Sequence, residues 1–201
     1  MNTKVMHDLT CGLFMLSSVS GEKRGGCIIN TVMQVTSKPL RVTITVNKAN
    51  NTHDLIMESG VFAVSLLSED APFGLFQHFG FQSSRDVDKF ANLNTATDVN
   101  GVPYLTWASC GYLSCKVVSS MDLGTHTQFL ADVVDGDRLV GGKPVSYAYY
   151  QANIKPKPEQ KPEAQGWRCT ICGYVYEGAE LPEDFVCPLC KHGPEAFEKI
   201  Q

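Results

Sequence analysis

Two C-x-x-C pairs, Cys169-Thr-Ile-Cys172 and Cys187-Pro-Leu-Cys190, stand 14 residues apart and decide what the end of this chain can become. Each pair forms a tight turn that presents two sulfurs on one side, and two such turns surround one tetrahedral ion. Residues 166–201 are too few to be held by an apolar core alone, so a bound metal must supply much of their folding free energy. The stretch from Leu9 to Val19 is apolar, but Lys4 and Asp8 precede it and no small-x-small cleavage site follows. It reads as a strand and not as a signal peptide. A cytoplasmic location is therefore expected, where cysteines bind metal more readily than they form disulfides. No run of 18 apolar residues is present to span a membrane. A net charge of −4 and a pI near 5.7 argue against a nucleic-acid partner, whose surface calls for basic residues.

Charge and composition divide the chain. Residues 166–201 carry three basic and six acidic side chains, more densely charged than residues 1–150 and more acidic. Residues 151–165, QANIKPKPEQKPEAQ, alternate Lys and Glu around three prolines. They read as an extended, semi-rigid spacer between a first domain, 1–150, and a second, 166–201. In the first domain, CGLFMLSSVS and GCIINTVMQVT flank a GEKRG turn and predict a hairpin. LRVTITV alternates with a period of two, as a half-buried strand does. VFAVSLL, GYLSCKVVSSMDL, HTQFLADVVDGD and KPVSYAYY predict further strands. One helix is expected over NNTHDLIMESG, capped by Asn51 or Thr52 and ended by Gly60, and a weaker one over PFGLFQHFGF. Many strands and few helices give a mainly β protein, most simply a closed antiparallel barrel.

Around the cysteines, WRCTICGYVYEG and DFVCPLC resemble rubredoxin and the rubredoxin-like domain of rubrerythrins. The resemblance implies one iron per chain held by Cys169, Cys172, Cys187 and Cys190, although zinc ribbons use the same ligand set. Trp167, Tyr174, Tyr176, Phe185 and Phe197 supply an apolar shell, and Gly173 and Gly193 stand where the chain turns after each knuckle.

Asn30 to Ser68, FQSSRDVDKF and GTHTQFLADVVDGD together resemble the flavin reductase-like, FMN-binding split-barrel family. This implies a Greek-key split barrel that is a homodimer. A flavin needs polar groups at the edge of its ring and an anion site for its phosphate. Gln34, Val35, Thr36 and Ser37 are candidates for the ring edge, with Asn30 and Thr31 just before them. Asn47, Lys48, Asn50, Asn51, Thr52 and His53 precede or open the expected helix, whose N-terminus suits a phosphate; the same residues could simply cap it. Ser83, Ser84 and Arg85 match the family's closing loop, and Arg85 could alternatively pair with Asp86 or Asp88. His126 matches the family's Gly-Asp-His motif with Thr125 in place of aspartate, which implies a role in positioning the nicotinamide. Cys11, Cys27, Cys110 and Cys115 are expected to be buried structural thiols. No G-x-G-x-x-G occurs, so a dinucleotide would stack over the flavin instead of entering a Rossmann fold.

The pairing of domains resembles high-molecular-weight rubredoxins. It implies an NAD(P)H-dependent oxidoreductase that passes electrons through FMN to iron and on to an acceptor such as a flavodiiron O2 or NO reductase. The acidic second domain would dock on a basic patch of that acceptor. Two other readings of the sequence stay open. One is a flavin reductase releasing reduced FMN to a monooxygenase, and the other a flavin-binding module with a structural zinc ribbon.

Overall fold

The structure, a computed structural model, describes residues 5, 8–139, 142–156, 166–189 and 191–200. It separates into two compact units, Met1–Pro156 and Lys157–Gln201. Most of the expected spacer, 157–165, and Cys190 lie outside the described residues.

The first unit is built on one seven-stranded antiparallel sheet: β1 (Phe14–Ser20), β2 (Lys23–Ile29), β3 (Met33–Ser37), β4 (Leu40–Asn47), β5 (Val61–Leu67), β8 (Ser109–Asp122) and β9 (His126–Arg138). Their order is β2-β1-β5-β8-β9-β4-β3, and a separate hairpin joins β6 (Thr95–Thr97) to β7 (Pro103–Leu105). Breaks in register between Ser114 and Cys115 and between Val117 and Ser119 sharpen the coiling of the long β8–β9 pair, as bulges do in barrels. The end strands β2 and β3 do not pair with each other, so the barrel is split.

The expected β1–β2 hairpin forms, but its turn is shorter than GEKRG. Gly21, at φ +57°, takes the left-handed position, and Lys23 already pairs with Ser20. GCIINTVMQVT is two strands, broken at residues 30–32. In β4, Val42, Ile44 and Val46 are buried while Thr43 and Thr45 are half-buried, the two-residue alternation of LRVTITV. β1 and β5 are covered on both sides. Leu16, Phe62 and Val64 join Ile44, Val46 and Phe129 inside the barrel, whereas Met15 and Leu67 face a second cluster with Leu75, Phe76 and Phe79 of α2 (Phe73–Gly80). Serines within these apolar strands have specific tasks: Ser17 Oγ donates to Pro103 O at 2.6 Å, and Leu105 N–H donates to Ser65 Oγ at 3.0 Å. Both tie the β6–β7 hairpin down.

KPVSYAYY is not a strand. Pro144 and Ser146 make isolated bridges to Ser68 and Gly12, and Ser146 then caps a helical turn, Tyr147–Tyr149, by accepting from Tyr149 N–H. The chain continues as a turn of π-helix, Tyr150–Ile154. The start of the expected spacer is therefore helical. Tyr150 is buried against Phe76, ring centroids 4.6 Å apart, and Ile154 packs on the same cluster.

The second unit has a three-stranded sheet, β11-β10-β12, from β10 (Gly166–Cys169), β11 (Val175–Tyr176) and β12 (Phe197–Ile200). Phe185 lies 4.7 Å from Tyr176 and 5.3 Å, edge-on, from Phe197. Among the described residues no helix is long and apolar enough to cross a membrane.

Candidate flavin and metal sites

The two knuckles share one backbone design. Gly173 N–H donates to Cys169 O at 2.8 Å and Lys191 N–H to Cys187 O at 2.9 Å. Cys169 N–H donates to Tyr174 O, and Cys187 N–H to His192 O, closing each turn a second time. The residue after each knuckle needs a left-handed backbone. Gly173 supplies it at φ +79°, but in the second knuckle the counterpart is Lys191 at φ +63°, not Gly193, whose φ is −77°. The Sγ atoms of Cys169, Cys172 and Cys187 lie within 4.8 Å of one another, with Cys172 and Cys187 at 3.5 Å. A tetrahedral ion with bonds of about 2.3 Å holds its sulfurs about 3.8 Å apart, so these three fit a metal. Cys169 and Cys187 are buried and Cys172 is exposed.

In the first unit, β4 runs into a turn fixed by Asn47, whose Oδ1 accepts from Ala49 N–H at 2.9 Å. Helix α1 (Asn51–Ser59) follows and ends at Gly60, φ +69°. Its N-cap is Asn50, one residue before the expected cap, and the Asn50 side chain makes no capping hydrogen bond. His53 N–H donates to Asn50 O at 3.1 Å, and the N–H groups of Asn51 and Thr52, at the tip of the helix, are left for another partner. A cavity of about 230 Å3 opens at this end, lined by residues that include Asn50, Asn51, Thr52, Ser83, Ser84 and Lys89. Beneath it, β2 passes so closely that a Cβ on Gly26 would meet the Phe79 and Phe90 rings at 2.9 Å, and one on Gly25 would meet Leu55 at 2.8 Å. Ser84 holds this strand, accepting from Gly26 N–H at 3.1 Å. Ligand pockets for whole cofactors are typically about 300–1,000 Å3. The cavity fits the phosphate end of a flavin, with anion-seeking N–H groups and hydroxyls on its walls.

The other expected residues stand elsewhere. His53 points into the barrel, only 8% exposed, with Nε2 2.9 Å from Thr127 Oγ1 and Nδ1 3.1 Å from Asp54 Oδ1. It fastens α1 to β9. Lys48 Nζ is paired with Asp122 at 2.7 Å, and Arg85 pairs with Asp54 at 2.7 Å instead of with Asp86 or Asp88. Arg85 also donates to Ala49 O at 2.8 Å, which binds the 83–85 loop to the entry of α1. Asp54 is held below the usual carboxylate range by His53 and then by Arg85. Asp88 pairs with Arg24. Asn30 Nδ2 reaches Cys11 Sγ at 3.5 Å, and Thr31 Oγ1 donates to Thr45 O at 2.7 Å, so both brace the β2–β3 corner. Gln34, Val35, Thr36 and Ser37 lie on the exposed edge strand β3, with Val35 as the extra residue of a bulge. His126 opens β9 opposite Asn47, half-buried, with Nδ1 2.8 Å from the Thr125 hydroxyl.

Sequence reasoning missed Lys89. In FQSSRDVDKF the sequence draws the eye to Ser83, Ser84 and Arg85, not to the lysine between Asp88 and Phe90. It is 2% exposed, and its Nζ donates to Gly26 O and Phe79 O, each at 2.8 Å. Burial lowers its pKa.

Of the four cysteines outside the knuckles, Cys27 and Cys115 are buried as expected, whereas Cys11 and Cys110 are half-buried. Burial pushes the Cys27 thiol up to about 11, against the pull of Thr52 and Lys89, and Cys115 up to about 12. A rise from 9.0 to about 11 leaves about a hundredfold less thiolate. Of these four, native protein at pH 8 should therefore be alkylated by iodoacetamide first at Cys11 and more slowly at Cys110, whose thiol burial and then Asp70 also push up, while Cys27 and Cys115 are spared; mass spectrometry of the digest reads this directly. In the unfolded chain the same thiols ionise nearer pH 9, so stability should fall as pH rises above that value.

A split barrel with a cavity at a helix N-terminus, in one chain with a knuckle unit that gathers Cys169, Cys172 and Cys187, points to a class of redox protein. Residues 6–156 match the family of the flavin reductase like domain, and residues 167–198 that of the rubrerythrin, rubredoxin-like domain. The chain belongs to the flavin reductase like family and carries a rubredoxin-like domain fused behind it. It is 35% identical over 229 aligned residues to the high molecular weight rubredoxin of Moorella thermoacetica, covering all of both chains. It is 36% identical over 157 residues to a ferric-chelate reductase (NAD(P)H) of Archaeoglobus fulgidus, covering 78% of this chain and 93% of that one. Among solved structures it is similar to an NADH:FAD oxidoreductase of Streptomyces globisporus C-1027 in complex with NAD and FAD fragments. There the TM-score is 0.65 at 22% identity, covering 79% and 92% of the two chains. Flavoredoxin of Methanosarcina acetivorans gives 0.60 at 21%, covering 67% and 74%. At these identities the likeness is one of fold. Family and fusion together make the chain an electron-transfer oxidoreductase, with a flavin for its first domain and iron for its second.

Proposed function

We propose that the chain carries electrons from NADH or NADPH through FMN held by the barrel to one iron held by Cys169, Cys172, Cys187 and Cys190, and on to an external acceptor such as a flavodiiron protein. The observation that carries this reading is the fusion of a flavin reductase like domain to a rubredoxin-like domain in one chain. When bound, the flavin supplies the exchange between hydride pairs and single electrons that neither a nicotinamide nor an iron–thiolate centre performs alone.

The residues divide the remaining work. Asn50, Asn51, Thr52 and Ser83 receive the phosphate end of FMN in the α1 cavity. Arg85 acts at one remove, fixing the loop that forms the cavity wall. Gln34, Val35, Thr36 and Ser37 offer backbone and side-chain groups to the ring, with Asn30 and Thr31 setting the corner that leads into them. Asn47, Lys48 and His53 hold the entry and flank of α1, and His126 positions the nicotinamide. Because the cavity accommodates only one end of the cofactor, the ring must be covered by other surface. Met33, Val35 and Leu40 are 61%, 41% and 45% exposed along β3 and the start of β4, which supports a homodimer that covers this edge. The sequence between the domains keeps the iron at high effective concentration near the flavin. The net acidity of 166–201 favours a basic docking surface on the acceptor.

Anaerobic stopped-flow mixing with each nicotinamide tests the proposal. The expected result is bleaching of the flavin followed by loss of the ferric–thiolate colour. Purified protein that contains zinc and no flavin would end it.

A further inference from the structure

We propose that Lys89 is the buried counter-charge of the flavin site, which makes the cavity at the N-terminus of α1 select a phosphate monoester. The inference rests on the reading of the barrel as a flavin carrier and adds to it a residue and a selectivity. An ammonium group has three donors, and two of those on Lys89 are taken by Gly26 O and Phe79 O. The third remains for a partner, and Lys89 lines the cavity. A buried cation is costly unless an anion lies close, yet among the described residues Lys89 forms no ion pair with a carboxylate. The other cations near this end are neutralised: Lys48 by Asp122 and Arg85 by Asp54.

Charge matching sets the ligand. The N-terminus of α1 contributes roughly half a positive charge, and Lys89 adds one. A phosphate monoester carries about −1.5 to −2 at neutral pH, which such a site balances. Each phosphorus of a dinucleotide diester carries a single charge and must also continue past the cavity. Riboflavin offers no charge at all.

The test compares FMN, FAD and riboflavin as ligands of the full chain freed of flavin, read by quenching of flavin fluorescence. Wild type should bind FMN at least tenfold more tightly than riboflavin or FAD. Lys89→Met should weaken FMN by about tenfold to a hundredfold, the range for a hydrogen bond to a charged group, and leave riboflavin unchanged. Should that variant fail to fold, Lys89→Gln drops the charge while keeping donors for the two carbonyls, and it carries the same comparison. Equal affinity of wild type for FMN and riboflavin, or a variant that loses both ligands alike while folded, overturns the proposal. A wild-type chain that binds none of the three overturns the flavin reading itself.

Discussion

Replacing Cys172 with serine should release the metal and unfold residues 166–200 while the barrel keeps its own melting transition. The second unit has little else to hold it. Among the described residues its buried cluster consists of Cys169, Cys187, Ala196 and Phe197, and two of these four are proposed metal ligands. The aromatic rings around Phe185 are only partly covered. Metal binding to small four-ligand sites contributes about 10–16 kcal/mol at neutral pH, as much as the whole net stability of an ordinary domain at about 5–15 kcal/mol. Cys172 is exposed, so its substitution opens no apolar cavity, and whatever is lost is lost through the metal. Serine is a poor ligand for a soft ion, and three sulfurs are left to do the work of four. Metal analysis and visible absorption should show the loss of the ion. Hydrogen exchange should show protection vanishing after residue 166 and unchanged over β1–β9. A Cys172→Ser protein that keeps protection across β10–β12 without metal would contradict the account.

What the sequence disclosed and what it concealed follow from how local each cause is. The knuckles were legible because C-x-x-C spacing is itself the geometry. The β4 alternation and the Gly60 cap were legible because period and left-handed turns act within a few residues. The 143–154 segment misled because Tyr-rich sequence favours strands by composition. Yet Ser146 before Tyr147, Tyr150 and Ile154, spaced three and then four, carried the helical signal. The second cluster decided the outcome by giving Tyr150 and Ile154 a place to pack. At the candidate site the helix N-terminus was visible, but the partners of its charges were not. Asp122 and Asp54 take up Lys48 and Arg85 through contacts that join residues 74 and 31 positions apart. Lys89 was hidden for the same reason: two carbonyls, 63 and 10 residues away, hold it inside. Glycine is the usual occupant of a left-handed position, which draws attention to Gly193, but the repeated backbone hydrogen bonds place Lys191 there in the second knuckle.

Ending the chain after Gln165 should leave reduction of the flavin by nicotinamide within about twofold of wild type and abolish delivery of electrons to the external acceptor, a loss without a residual slow phase. The cut falls beyond every part of the first unit that packs on the barrel. Tyr150 stacks among Phe73, Phe76 and Tyr147, Ile154 joins the same cluster, and Lys155 N–H closes the last turn on Tyr150 O. A cut after Ser146 makes the contrast, because it strips these contacts and should cost the barrel about 3–5 kcal/mol, on the scale of removing a large buried aromatic side chain. The cut after Gln165 thus tests electron flow and the cut after Ser146 tests packing, and thermal melts tell them apart. Full acceptor turnover by the chain ending at Gln165 would mean that electrons leave directly from the barrel, and that the rubredoxin-like domain serves some other end.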